Sequence, residues 1–169
     1  MSTTETTEPM EMATQPQKEH EWLHKLVGTW RVESEMSMPG GDVVRGEGTE
    51  TYRMLGGLWA FGEGSGTMPN GDKMEYKTGL GYDVSFKEYR GFWLASVSSH
   101  LWKYVGELSS DGRTMTLNCE GPHMEKDGET ANYRDVIEFL DENTRTLTSY
   151  GQDEQGQWQQ FMRATCTRA

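Results

Sequence analysis

Polar and apolar residues alternate with a period of two over most of this chain. Met74, Tyr76, Thr78, Leu80 and Tyr82 interleave with Glu75, Lys77, Gly79 and Gly81. Met115, Leu117 and Cys119 oppose Thr114, Thr116, Asn118 and Glu120. That is the signature of antiparallel strands with one wet face. One segment differs: Gln17 to Val27 carries Trp22, Leu23, Leu26 and Val27 at i, i+1, i+4, i+5 and predicts a short helix, stopped at Gly28. Beyond it, clusters of Gly, Asn, Asp and Pro recur at short intervals. They fall at 39–42, 56–57, 69–72, 83–87, 109–112, 120–128, 141–143 and 153–156, with a weaker break at Ser98-Ser99. These breaks predict ten strands: Thr29–Ser37, Val43–Arg53, Trp59–Thr67, Met74–Tyr82, Glu88–Val97, Leu101–Leu108, Thr114–Cys119, Ala131–Leu140, Arg145–Gly151 and Trp158–Arg168. The eighth alternates poorly, and its inner face is not assigned by pattern.

Short connections make each strand the partner of the next. An open meander of ten strands would leave two bare edges and would curl, and closing it removes the edges. The expected fold is therefore all-β, a ten-stranded antiparallel up-and-down barrel with a short N-terminal helix capping one end. A β-sandwich competes, but it needs long crossing connections that this chain lacks. Gly62, Gly64 and Gly66 lie on one face of the third strand, which suits a strand that bends or runs close under other groups.

Composition alters the picture at the N-terminus. Of 169 residues only 34% are hydrophobic, yet all six Trp, seven Tyr and five Phe follow residue 16. Residues 1–16 hold too little apolar surface to offset their ordering entropy and are expected to be a disordered tail, with residues 17–169 as one domain. A net charge of −11 disfavours nucleic acid and anionic membrane as partners, since phosphate contacts need clustered Lys and Arg. No apolar run approaches the ~20 residues of a spanning helix, and the first residues lack the pattern of a secretory signal. Cys119 and Cys166, each inside a strand and outside any C-x-x-C, are expected as free thiols in a cytoplasmic protein.

Gly28-Thr-Trp30 resembles the G-x-W signature that opens the first strand of lipocalins and related calycins. That resemblance implies that Trp30 plugs the closed end and that a basic residue of the last strand packs across it. Arg163 is the candidate here, and a guanidinium on an indole is worth ~0.5–1 kcal/mol or more when desolvated. A closer resemblance runs from Lys18 to Arg168. It is carried by the segments Leu55-Gly-Gly-Leu-Trp59, Leu80-Gly-Tyr-Asp83, His100-Leu-Trp-Lys-Tyr104, Tyr133-Arg-Asp-Val-Ile-Glu138 and Arg145-Thr-Leu-Thr-Ser149. These look like a bacterial family known as domain of unknown function 1579. The resemblance implies a calycin-like barrel and brings no reaction, ligand or catalytic residue.

His100, Trp102 and Tyr104 share one face of a strand whose other face carries Lys103 and Glu107. Turned inward, they would set polar groups in an apolar lining, as ligand sites require. Tyr133, Asp135 and Glu50 are the other candidate ligand-binding residues. A buried Asp135 needs a partner, with Arg163 and His100 as the candidates. Gly28, Trp30 and Arg163 form the barrel-closing set. His20-Glu-Trp-Leu-His24 fits the H-E-x-x-H pattern of zinc hydrolases, but the helix is short and lacks a cleft, so both histidines are expected on the surface and no metal site is assigned. No catalytic residue and no cofactor are assigned; haem on His100 or His123 is the one cofactor the histidines leave open. Three functions remain: a binder of a small, largely apolar molecule; an enzyme using His100 and a nearby carboxylate as acid–base pair; and a filled barrel with an assembly role, such as a homodimer through an exposed aromatic face.

Overall fold

The ten strands predicted from alternation form one closed antiparallel barrel. The computed structural model describes residues 13–68 and 70–169. Residues 1–12 of the expected tail, and Pro69 of the third turn, lie outside the described residues. The strands are Gly28–Ser37 (β1), Val43–Leu55 (β2), Trp59–Thr67 (β3), Lys73–Asp83 (β4), Glu88–Ala95 (β5), Ser98–Leu108 (β6), Thr114–Pro122 (β7), Thr130–Asp141 (β8), Thr144–Gln152 (β9) and Trp158–Arg168 (β10). Each pairs with its neighbour in sequence, and β1 pairs with β10 to close the cylinder. Inward residues are buried and outward ones exposed along most strands, as period-two alternation demands. In β8 the inner set is Tyr133, Asp135, Ile137 and Phe139; a carboxylate among apolar side chains is what blurred its pattern.

One ladder is short. β6 and β7 share four register pairs, Val105–Leu108 against Met115–Asn118, whereas every other neighbouring pair shares six to ten. Toward the far end the two strands communicate through side chains: His100 Nε2 lies 3.2 Å from the Glu120 carbonyl, and the Trp102 ring covers Gly121, where a Cβ would lie 2.3 Å from it.

The predicted helix is a 3-10 helix, Lys18–Leu26. Its Glu19 and Glu21 lie in the first turn and His24 and Lys25 in the last, the arrangement that suits a helix dipole. Trp22, Leu23 and Leu26 turn into the barrel end and are buried with Trp30, Tyr52, Leu80, Tyr89, Met115 and Phe139. Long-range bonds hold the plug: Trp22 Nε1 (3.0 Å) and Lys25 Nζ (3.2 Å) donate to the Gly112 carbonyl, the Tyr89 hydroxyl to the Glu19 carbonyl (2.7 Å) and Arg168 to the Lys25 carbonyl (3.2 Å). The 3-10 geometry also corrects the expectation of two surface histidines. At three residues per turn, i and i+4 diverge. His24 is exposed, whereas His20 is buried, accepts the Gln17 N–H on Nδ1 (2.8 Å) and meets the Tyr82 ring edge-on at 5.8 Å.

Trp30 is fully buried and donates through Nε1 to the Leu26 carbonyl (2.8 Å). Two guanidiniums lie over its indole: Arg168 at 4.2 Å and Arg145 at 4.7 Å from the ring centroid. The expectation that Arg163 fills this place is corrected. Trp30 is the register partner of Arg168, while Arg163 is opposite Glu35 near the far end of β1 and is exposed on the outer face. Arg168 also donates to the carbonyls of Val27 (2.6 Å), Lys25 and Glu142 (3.2 Å each). Gly28 has φ of +124°, and a Cβ there would lie 2.6 Å from Arg168 Nη1, so this glycine makes room for the guanidinium.

Arg145 is buried and ion-paired with Glu50, whose other oxygen accepts the Tyr76 hydroxyl at 2.5 Å. Burial raises the Tyr52 phenol beside the pair well above its ordinary range, and the Glu50 charge adds to this. Removing one member of a buried pair strands the other charge. Arg145→Met is therefore expected to lower unfolding free energy in urea by about 3–5 kcal/mol. Arg145→Met combined with Glu50→Gln is expected to cost clearly less than the sum of the single changes. For the Trp30 stack, Arg168→Ala should lower stability by about 1–2 kcal/mol, and Arg163→Ala should stay within about 0.5 kcal/mol of the parent in the same assay.

Candidate functional site

The lumen divides at the level of Glu50 and Arg145. Below it, toward the helix, most inward side chains are buried, and Met54, Tyr82 and Leu108 are half-buried against them. Above it the inward side chains keep partial access to solvent: Val32, Ser34, Tyr76, Trp93, Trp102, Cys119, Asp135, Phe161 and Met162 are all half-buried. This upper half opens at the end opposite the helix, between the loops that follow β1, β3, β5, β7 and β9.

Aromatic rings line the mouth in edge-to-face contact. His100 meets Trp102 at 4.8 Å, Trp102 meets Tyr133 at 5.1 Å and Tyr133 meets Phe161 at 6.2 Å, running from β6 through β8 to β10. On the adjoining wall Tyr76 and Trp93 stack at 5.7 Å. The glycine stripe of β3 creates the space these rings occupy. A Cβ on Gly64 would lie 1.9 Å from Tyr76, and one on Gly62 would lie 2.6 Å from Tyr52. The stripe thus admits large rings against a bare backbone.

One step deeper, Tyr104 and Asp135 form the floor. The Tyr104 hydroxyl donates to one Asp135 oxygen (2.6 Å) and the Ser149 hydroxyl to the other (2.5 Å). Burial holds the Asp135 carboxyl above the usual carboxylate range, against the lowering pull of the two hydroxyls. Burial and the Asp135 charge push the Tyr104 phenol far up, so it remains a donor. Cys119 is a free thiol nearby, pushed up to about 12 by burial and by Asp135, which makes it a poor nucleophile.

The structure brings together His100, Trp102, Tyr104, Tyr133 and Asp135, all facing the upper lumen. Glu50 faces the lumen too, but Arg145 and Tyr76 engage both its oxygens. The expectation that Asp135 pairs with Arg163 or orients His100 is corrected. Arg163 lies outside, and His100 directs Nε2 to the Glu120 carbonyl, which fixes that nitrogen as the donor. His123 uses Nδ1 to accept the Glu125 and Lys126 amides (3.1 Å each), within the loop after β7. Sequence reasoning missed Tyr76, Trp93, Arg145 and Ser149. Tyr76 was placed on the inner face by alternation, without a role. Arg145, Leu147 and Ser149 share one face opposite three residues as apolar as they are, so pattern alone does not choose between the faces. Two surface depressions, of about 410 and 390 Å³, lie beside the helix and on the outer face of β1, β2 and β10. The second reaches Ser34, and neither includes the aromatic residues of the mouth.

Known proteins place this geometry. The S-type phycobiliprotein lyase CPES from Guillardia theta superposes with a TM-score of 0.59 at 14% identity, over 90% of this chain and 93% of that one. Rv2717c from M. tuberculosis superposes with a TM-score of 0.64 at 12% identity, over 92% and 99%. At such identities the likeness is one of fold: a lipocalin-like barrel. No curated protein matches the chain. The family model described as Protein of unknown function (DUF1579) matches residues 15–168, and the chain belongs to that family.

Proposed function

We propose that this barrel binds a small, largely apolar molecule in its upper lumen, admitted at the end opposite the helix. The observation that carries the reading is the contrast within one inner surface. Below Glu50 and Arg145 most inward side chains are buried, with Met54, Tyr82 and Leu108 partly accessible at the rim of the plug. Above them, aromatic rings of Tyr76, Trp93, Trp102 and Phe161 stay partly open to solvent. Large rings are costly to leave wet, and concave aromatic walls with few polar groups are the usual make-up of ligand sites. His100, Tyr104, Tyr133 and Asp135 supply the polar points that would orient the guest, and Glu50 acts through the Tyr76 hydroxyl. The Guillardia theta structure is described as an S-type phycobiliprotein lyase, and a barrel of this fold in that role agrees with the reading. The acid–base alternative draws less support, since the contact His100 makes among the described residues is with the Glu120 carbonyl and not with a carboxylate.

The test is titration with N-phenyl-1-naphthylamine, a neutral apolar fluorophore. Saturable one-to-one enhancement is expected. Ser34→Trp, which projects an indole into the upper lumen, should abolish it while circular dichroism and thermal unfolding stay those of a folded barrel. Trp102→Ala should weaken the affinity about tenfold, in line with ~1–1.5 kcal/mol for a lost aromatic contact. Trp158, whose ring lies under Arg134 on the outer surface, is the control: Trp158→Ala should leave the titration unchanged. Enhancement that survives Ser34→Trp would place the probe elsewhere and end the proposal.

A further inference from the structure

The upper lumen contains one carboxylate with no positive charge against it. Glu50, deeper in, is neutralised by Arg145. Asp135 is held only by hydroxyls, Tyr104 from β6 and Ser149 from β9. The other titratable group near it is the Cys119 thiol of β7, and its own strand adds the Tyr133 phenol, which donates to the Pro122 carbonyl (2.6 Å). No Lys, Arg or His contacts it among the described residues. Two hydroxyl donors fill about half of a carboxylate's acceptor sites. Asp135 therefore faces the lumen with unused lone pairs and an unbalanced charge. Directly mouthward, two residues along β6 and β8, lie Trp102 and Tyr133 with ring centroids 5.1 Å apart. Aromatic faces attract cations, and a carboxylate behind them completes the arrangement.

Resting on the lumen reading above, we infer that the guest carries a positively charged nitrogen. A protonated amine or amidine on an apolar body would rest against the lumen side of the Trp102–Tyr133 pair, whose rings touch edge to face, and pair with Asp135. The ammonium supplies the charge the protein withholds, and its N–H groups reach the free lone pairs. An anionic head would meet Asp135 as a like charge and be rejected.

The test compares three molecules of one body: 4-phenylbutylamine, 4-phenylbutan-1-ol and 4-phenylbutyrate. Each is titrated against barrel loaded with N-phenyl-1-naphthylamine, so that displacement reports lumen binding. At neutral pH the amine is expected to displace about tenfold more effectively than the alcohol, with the carboxylate weakest. In Asp135→Asn, which keeps shape and can still hydrogen-bond, the affinities of amine and alcohol should converge. Lowering pH through the raised range of Asp135 should erase the amine's advantage in the parent protein, because protonation removes the charge. If all three displace equally, the lumen reading stands and the cation inference falls. If none displaces a probe that Ser34→Trp excludes, the cation inference falls again and apolar binding stands. If the probe itself does not bind the lumen, both fall together. Should Asp135→Asn fail to fold, the ranking of the three molecules on the parent protein decides the matter alone.

Discussion

A salt bridge across the inside of a closed sheet determines how this barrel is built. Backbone ladders fix each strand against its two neighbours only. Glu50 and Arg145 belong to β2 and β9, which are separated around the wall by β1 and β10. Their contact, extended to β4 through Tyr76, registers distant arcs of the cylinder against one another. A slip by one residue in any of the intervening ladders would turn one charge outward and strand the other. Trp30 and Tyr52 then shield the guanidinium, at 4.7 and 5.7 Å, so the charge sits among π-faces and its partner acid instead of water.

From that level the lumen takes two characters. Toward the helix it is a core: Leu23, Leu26 and Met115 are inaccessible, and among the described residues the buried side-chain polar atoms left without a hydrogen bond are His20 Nε2 and Arg145 Nε. Toward the mouth, large rings are set against glycine backbone and remain half open. The same inner surface thus packs the helix plug at one end and carries partly open rings at the other. The polar group at the boundary of the open half, Asp135, is supported by hydroxyls, which orient a carboxylate without cancelling it.

Strand number, order and nearly all boundaries were legible because all turns but one carry a residue suited to them, and because alternation in β4, β6 and β7 is clean. The exception is Ser96-Val97 between β5 and β6, where the break expected at Ser98-Ser99 falls inside β6. Two kinds of feature were not legible. The first depends on register between strands far apart in sequence. The last strand does supply a cation to Trp30, but only the β1–β10 pairing tells Arg168 from Arg163. The second arises where polar residues occupy inner positions. Asp135 in β8 and Arg145 in β9 disguise the inner face, since a charged side chain ordinarily marks the wet one. His20 belongs to the same class. Its spacing from His24 suggests a shared helix face only if the helix turns every 3.6 residues, and this one turns every three.

The abbreviated ladder between β6 and β7 has a consequence for how the wall breathes. Interstrand amide bonds there stop at Val105 and Asn118, and the remaining length is bridged by one imidazole and one indole. Side chains rotate on far shorter timescales than ladders unzip. The barrel can therefore loosen along this one line while the other nine joins stay intact. Amide protons of β6 between Ser99 and Tyr104 that point toward β7 would exchange with solvent sooner than those held in full ladders. A cylinder without edges thus keeps one seam, and Trp102 is the stitch in it.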